Sequence, residues 1–299
     1  MTQAVPDTPP EAFSAFLRAH HHPPELSDLW TSYYAPVARQ LEGWIRAQSG
    51  PVVVGVNGCQ GSGKSTLCDV VAWILAEYSA LRVAVLSIDD LYYSRAQRTQ
   101  LAESVHPLLN TRGVPGTHDV SLGVDTLSAL KRGKVPLRLP RFDKARDDRV
   151  PPQEWPLVRR PVNLVLFEGW CVGTQPQPEE ALRHPVNSLE ADLDADGRWR
   201  EYVNTQLQTV YPELWHCLDY RIFLQAPGFE CVERWRWQQE QQLAARSKGG
   251  LGVMTREQVL QFIAYYQRLT QHNLSTLPAL SDVVVTLDEK QHVTRFLWQ

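Results

Sequence analysis

The sequence predicts an α/β protein: a three-layer sandwich whose mostly parallel sheet is covered by helices on both faces. Three observations carry this. Residues 52–56, 82–88, 162–167, 220–224 and 282–287 are short, nearly continuous apolar runs, as expected of strands buried on both sides. Segments with helical spacing of apolar residues separate them. A glycine-rich turn, Gly58-Cys59-Gln60-Gly61-Ser62-Gly63-Lys64-Ser65, joins the first run to a helix bearing Leu67, Val70, Val71, Ile74 and Leu75.

The bulk numbers agree. A chain of 299 residues, 43% hydrophobic and 21% charged, has the composition of a globular enzyme. A net charge of −3 argues against a general nucleic-acid binder. The five cysteines (59, 68, 171, 217 and 231) show no C-x-x-C spacing, which points to reduced thiols rather than a disulfide framework or zinc site. No apolar run is long enough for a membrane span, and no export signal opens the chain. The expectation is a cytoplasmic protein with no membrane and no nucleic-acid partner.

In chain order, residues 1–50 form a helical extension. The triplet His20-His21-His22 before Pro23-Pro24 is a solvated turn, and a helix over 29–45 places Trp30, Tyr33, Tyr34, Val37, Leu41 and Ile45 on one face. Residues 51–299 form the second domain. Its first strand, turn and helix carry G-x-x-x-x-G-K-S, the P-loop. Gly58, Gln60, Gly61, Ser62, Gly63, Lys64, Ser65 and Thr66 are thus nucleotide-binding candidates. Glycines admit close backbone approach, and amides at the helix start face the phosphates. Lys64 offers charge and Ser65 a hydroxyl for Mg2+. The fold class is therefore of P-loop NTPase type.

The second strand ends at Asp89 and Asp90, and a polar helix runs on to residue 102. Residues 105–120 are a Pro/Gly-broken loop, followed by a helix over 122–130 that Gly133 ends. Residues 135–139 are expected as an edge strand, because Pro136 forfeits a ladder donor. Residues 140–160 form a long charged loop, and the strand that follows ends at Glu168. A surface loop over 173–190, a helix over 199–210 and a strand over 220–224 come next. A helix over 228–247, a helix over 255–274 capped by Thr255, and strands over 282–287 and 293–297 complete the chain.

Ligands gather at the carboxyl ends of such strands. Asp89 and Glu168 have that address, and phosphoryl transfer needs carboxylates to orient the acceptor hydroxyl and to hold a metal. Both are catalytic candidates with Lys64, and the metal set is Ser65, Glu168 and Asp89. Arg112, His118 and Asp119, then Arg141 and Asp143, supply polar groups for a small, hydroxylated, anionic acceptor. Asp90, otherwise a helix cap, and Tyr92 join them. Residues 228–254 form a helical lid with Arg234, Arg236, Arg246 and Lys248 before Gly249-Gly250. Periodicity does not choose among these arginines; Arg236 is carried forward as catalytic.

Residues 58–66 together with Ser87-Ile88-Asp89-Asp90-Leu91-Tyr92, Pro115-Gly116-Thr117-His118-Asp119, Pro140-Arg141-Phe142-Asp143-Lys144 and Phe167-Glu168-Gly169-Trp170 resemble the D-glycerate 3-kinase family. The likeness covers most of residues 51–290. That family stands near the uridine kinase, phosphoribulokinase and pantothenate kinase group. The resemblance implies an ATP-dependent kinase acting on D-glycerate. It makes Asp89 the base, puts Glu168 beside Mg2+, and turns His118, Asp119 and Asp143 toward the acceptor. Alternatives are the same fold acting on pantothenate, a nucleoside or a sugar phosphate, and a nucleotide-driven switch. A G-protein switch would carry N-K-x-D, which the sequence lacks.

Overall fold

The computed structural model describes residues 4–246 and 254–299. The described helices are α1 (Glu11–Ala19), α2 (Ala35–Ala47), α3 (Lys64–Ser79), α4 (Arg95–Ser104), α5 (Val120–Lys131), α6 (Ser188–Leu193), α7 (Arg198–Thr209), α8 (Pro212–Trp215), α9 (Glu230–Arg246) and α10 (Arg256–Thr276). The strands are β1 (Val52–Gly58), β2 (Val83–Ser87), β3 (Leu137–Arg138), β4 (Phe142–Asp143), β5 (Asp148–Arg149), β6 (Leu157–Val158), β7 (Leu164–Gly169), β8 (Tyr220–Gln225), β9 (Val283–Leu287) and β10 (Val293–Trp298).

Among the described residues, six strands form the central sheet in the order β10-β9-β8-β1-β7-β2, and only the β10 pairing is antiparallel. Burial explains the continuous apolar runs. Val52, Val54, Val56, Leu164 and Leu166 face one core, while Val53, Val165 and Phe167 face the other. Alternate side chains leave a strand on opposite faces, so both sides must be apolar when both are covered. The first core lies under α1, α2, α3 and part of α9; the second lies under α5, α7 and part of α10.

The N-terminal segment packs on α3. Trp73 stacks against Phe16 at 4.9 Å and Phe13 at 5.6 Å, and Trp30 meets its edge at 6.4 Å. The expected helix over 29–45 is interrupted at its start, where Trp30–Tyr34 form a π-turn leading into α2.

Three expectations need correction. Residues 135–139 are not an edge strand of the main sheet: only β3 is extended, and it pairs with β6 in a separate two-stranded ribbon. The edges of the main sheet are β2 and β10. The loop over 140–160 contains the β4–β5 hairpin as well as β6, and the surface loop over 173–190 contains a 3-10 turn and the first residues of α6. These pieces are too short to leave a periodic signal. The expected cap of α10 is present as a capping box of Thr255 with Gln258.

Register sets the site. Val56, Glu168 and Ser87 stand level on the adjacent strands β1, β7 and β2. The P-loop, Glu168 and Asp89 therefore gather at one edge of the sheet, where three parallel strands end.

Candidate active site

The nucleotide loop follows β1 without a break. Gly61 and Gly63 have φ of 83° and 85°, the left-handed region that favours glycine, and Gly63 leads directly into α3. The reason for Gly61 goes beyond phosphate approach. A Cβ there would lie 2.6 Å from Cβ of Trp235, a fully buried residue of α9. Gln291 Nε2 donates to the Gly61 carbonyl at 2.5 Å, and Trp235 Nε1 donates to the Glu289 carbonyl at 2.8 Å. The loop is thus braced from behind by α9 and by the turn between β9 and β10.

In front of it lies a cleft of about 840 Å³. Of the residues singled out from sequence, Gln60, Gly61, Lys64, Ser65, Asp89, Tyr92, Arg112, Glu168 and Arg236 line it. Gly58, Ser62, Gly63 and Thr66 shape the loop without lining the cleft. Ser65 Oγ donates to Glu168 Oε1 at 3.1 Å, while Glu168 Oε2 is buried with no hydrogen-bond partner among the described residues. A hydroxyl beside a bare carboxylate oxygen is a donor set suited to a hard divalent cation. Burial of an unpartnered carboxylate oxygen is costly, which makes the fit more than coincidence of type.

Asp89 follows β2 in a short 3-10 turn, and its own amide donates to Ser87 Oγ at 3.3 Å. Tyr92 Oη donates to its Oδ1 at 2.8 Å, and Lys144 Nζ donates to its Oδ2 at 2.6 Å. Burial pushes the Asp89 carboxyl up, but Lys144, Lys64 and the Tyr92 hydrogen bond together bring it down to about 2. Lys144 responds in kind: the Asp89 charge raises its ammonium, against the opposing effects of burial and Arg112. Arg112 pairs with Asp147 and lies 5.5 Å over the Phe142 ring. Arg236 pairs with the buried Glu240 and lies 5.4 Å over Phe262. Glu240 also accepts from the Met254 amide at 2.9 Å.

Five expected acceptor residues do not line the cleft, each for a specific reason. Asp90 accepts from Arg141 Nη1 at 3.1 Å and from the Phe142 amide at 3.2 Å, so it and Arg141 hold the β4 turn. Asp143 accepts from the amides of Ala145 and Arg146 at 2.9 and 3.2 Å, closing the β4–β5 turn. Asp119 caps α5 through the Leu122 amide and pairs with Arg149 at 3.0 Å. His118 is 1% exposed, stacked on Tyr92 at 4.6 Å, with Nδ1 2.6 Å from Tyr211 Oη. Burial lowers its pKa to about 4, so it is neutral at ordinary pH. These residues build the wall behind Tyr92 and Lys144. Of the lid candidates, Arg234 pairs with Glu289 at 2.8 Å on the outside, and Lys248, Gly249 and Gly250 lie outside the described residues, as does the side chain of Arg246.

Lining residues not singled out from sequence include Lys144, Trp170, Gln239, Phe262 and Tyr266. Lys144 and Trp170 stood in the quoted motifs, which was the available signal. Tyr266 sits mid-helix with nothing local to mark it. Its ring fills the space a side chain at Gly113 would need, where φ is 144°. It meets Trp170 edge-on at 4.7 Å.

A glycine-rich loop and two acidic strand tips converging on one cleft define a P-loop kinase. No family model matches the chain. It is 30% identical over 287 residues to the chloroplastic D-glycerate 3-kinase of Arabidopsis thaliana, covering 87% of this chain and 59% of that protein. It is 31% identical over 250 residues to the uncharacterized kinase mug58 of Schizosaccharomyces pombe, covering 81% and 87%. The solved D-glycerate 3-kinase of Cryptococcus neoformans superposes with a TM-score of 0.71 at 26% identity, over 88% of this chain and 99% of that one. The chain belongs to the D-glycerate 3-kinase family of P-loop kinases. It spans about three fifths of the Arabidopsis relative's length. No described helix is long and apolar enough to cross a membrane.

Proposed function

We propose that the protein transfers the γ-phosphoryl group of ATP to a hydroxyl of a small anionic hydroxy acid, with D-glycerate the acceptor and 3-phosphoglycerate the product. The observation that carries this reading is the pair of carboxylates at adjacent strand tips, Asp89 and Glu168, across one cleft from Lys64. Lys64 and the amides of Gly61–Ser65 bind the phosphates. Mg2+, when bound through Ser65 and Glu168, neutralises phosphate charge. Asp89 orients the acceptor hydroxyl and takes its proton as the oxygen attacks phosphorus. Arg236 offers charge to the transferred group, and Trp170, Phe262 and Tyr266 restrict water. Gly58, Gln60, Ser62, Gly63 and Thr66 give the loop its shape. Arg112 with Tyr92 bounds the acceptor side. The relatives named D-glycerate 3-kinase support the choice of acceptor.

The test is ADP release followed by a coupled assay across D-glycerate, pantothenate, nucleosides and sugar phosphates. Stimulation by D-glycerate alone is expected, with turnover lost in Lys64→Ala. Release indifferent to every acceptor defeats the reading in favour of a nucleotide switch.

A further inference from the structure

We propose that Lys144 is the residue that recognises the anionic group of the acceptor: it pairs with Asp89 before the acceptor arrives and re-pairs with the acceptor when that enters. The inference rests on the acceptor reading given under Proposed function and deepens it.

Asp89 is already occupied. Both oxygens of Asp89 have partners, Tyr92 on one and Lys144 on the other. An acceptor hydroxyl can reach that carboxylate only if one partner gives way. Tyr92 is buried and wedged between His118 and Phe142, at ring distances of 4.6 and 5.3 Å, so it is fixed. The Lys144 side chain is 60% exposed and is free to turn.

Its backbone is the opposite. Asp90 holds the Phe142 amide, and Asp143 holds the two amides after Lys144. The Lys144 carbonyl accepts from Arg112 Nη2 at 3.4 Å, and the Asp147 carbonyl accepts from the buried Arg98 at 2.8 Å. Asp90, Asp143, Arg98 and Arg112 thus hold a rigid pedestal for one mobile cation. A lysine is the side chain for that task, a compact charge on a flexible four-carbon stem.

The other cations lining the cleft are committed differently. Arg236 is paired with Glu240, and Arg112 is held by Asp147 and stacked on Phe142. Lys64 stands at the start of α3, where the phosphates bind. Lys144 alone among these lining cations is bonded to the base itself. An incoming anion therefore exchanges one carboxylate for another on the same ammonium, at little change in its solvation, and releases Asp89 as it binds. A neutral acceptor has nothing to exchange and leaves Asp89 capped.

Calorimetric binding of D-glycerate and of its neutral amide, D-glyceramide, to wild type, Lys144→Met and Lys144→Arg tests this, with turnover measured in parallel. The amide preserves the hydroxyls and removes the charge. In Lys144→Met, affinity for D-glycerate is expected to fall about 30-fold while that for D-glyceramide changes less than about 3-fold, from loss of one charge-assisted contact. Lys144→Arg should recover part of the glycerate affinity. Equal losses for both compounds, or none for D-glycerate, overturn the assignment to Lys144 and leave the acceptor reading standing. Wild-type protein that neither binds nor phosphorylates D-glycerate overturns the acceptor reading and this assignment with it.

Discussion

At Asp89 two opposite pressures meet. Burial resists its charge, and Lys144, Lys64 and Tyr92 more than reverse that, so the carboxylate persists down to about pH 2. Asp89→Asn keeps the shape and removes the proposed base. Turnover should fall by about 10²- to 10⁴-fold, the usual weight of general-base catalysis, with ATP affinity within about 3-fold. Full turnover in that variant removes Asp89 from the chemistry. His118 shows the other outcome of burial. The Gly116 amide donates to Tyr211 Oη at 2.9 Å, and His118 Nδ1 lies 2.6 Å from the same oxygen. Burial lowers the pKa from the ordinary 6.5 to about 4, partly opposed by Asp89. The unfolded chain therefore binds the extra proton between those values. The stability contributed by the neutral ring is complete above pH 6.5 and is lost as pH falls toward 4, at up to about 1.4 kcal/mol per pH unit. Urea midpoints measured across that range should flatten in His118→Gln; an unchanged slope contradicts the assignment. The strand-tip acids were legible in sequence because position alone gives their address. Asp90, His118, Asp119, Arg141 and Asp143 were not, because a polar side chain looks the same whether it faces a ligand or satisfies a neighbour, and the folded partner decides which: Arg149 is 30 positions from Asp119, Arg141 51 from Asp90 and Tyr211 93 from His118, while Asp143 is taken up by the amides two and three residues on.

The P-loop shows how elements share a task. Its strand, turn and helix were plain from spacing, and so were the main-sheet strands, whose two buried faces leave long apolar runs. The β4–β5 hairpin was not, since two-residue strands carry no period. Nor was the brace behind the loop, where a helix some 170 residues away by sequence reaches Gly61 through Trp235. The two left-handed glycines can be separated experimentally. Among the described residues a Cβ at Gly63 meets nothing within 4 Å, so Gly63→Ala carries only the backbone penalty, about 1 kcal/mol. A Cβ at Gly61 carries that penalty and also collides with Trp235 at 2.6 Å. ATP titrations should therefore show at least a 10-fold weaker affinity for Gly61→Ala than for Gly63→Ala. Equal losses mean that α9 does not position the loop.

At the scale of the whole molecule, the cleft and the N-terminal segment occupy different sides of α3. Cleft-lining residues begin at Gln60, whereas Phe13, Phe16 and Trp30 cover Trp73, which no cleft residue touches through these rings. Tyr33 also reaches Phe296 of β10 at 5.9 Å, so residues 1–50 tie the α3 layer to the far edge of the sheet. We take this segment as a buttress that contributes stability and not binding. Trp30 is its anchor: fully buried, 4.9 Å from Phe13, with Nε1 donating to the Pro6 carbonyl at 3.0 Å. Trp30→Ala removes a large ring from a packed site and leaves a cavity, which costs about 3–5 kcal/mol. A loss of that size is a large fraction of a domain's net stability, yet it leaves the protein mostly folded at low temperature. Denaturant unfolding at 10 °C should report the loss, and ATP affinity measured on the folded variant at the same temperature should match wild type. Weakened ATP binding in folded Trp30→Ala means the segment supports the nucleotide loop through α3 directly; unchanged stability means it is dispensable to the core.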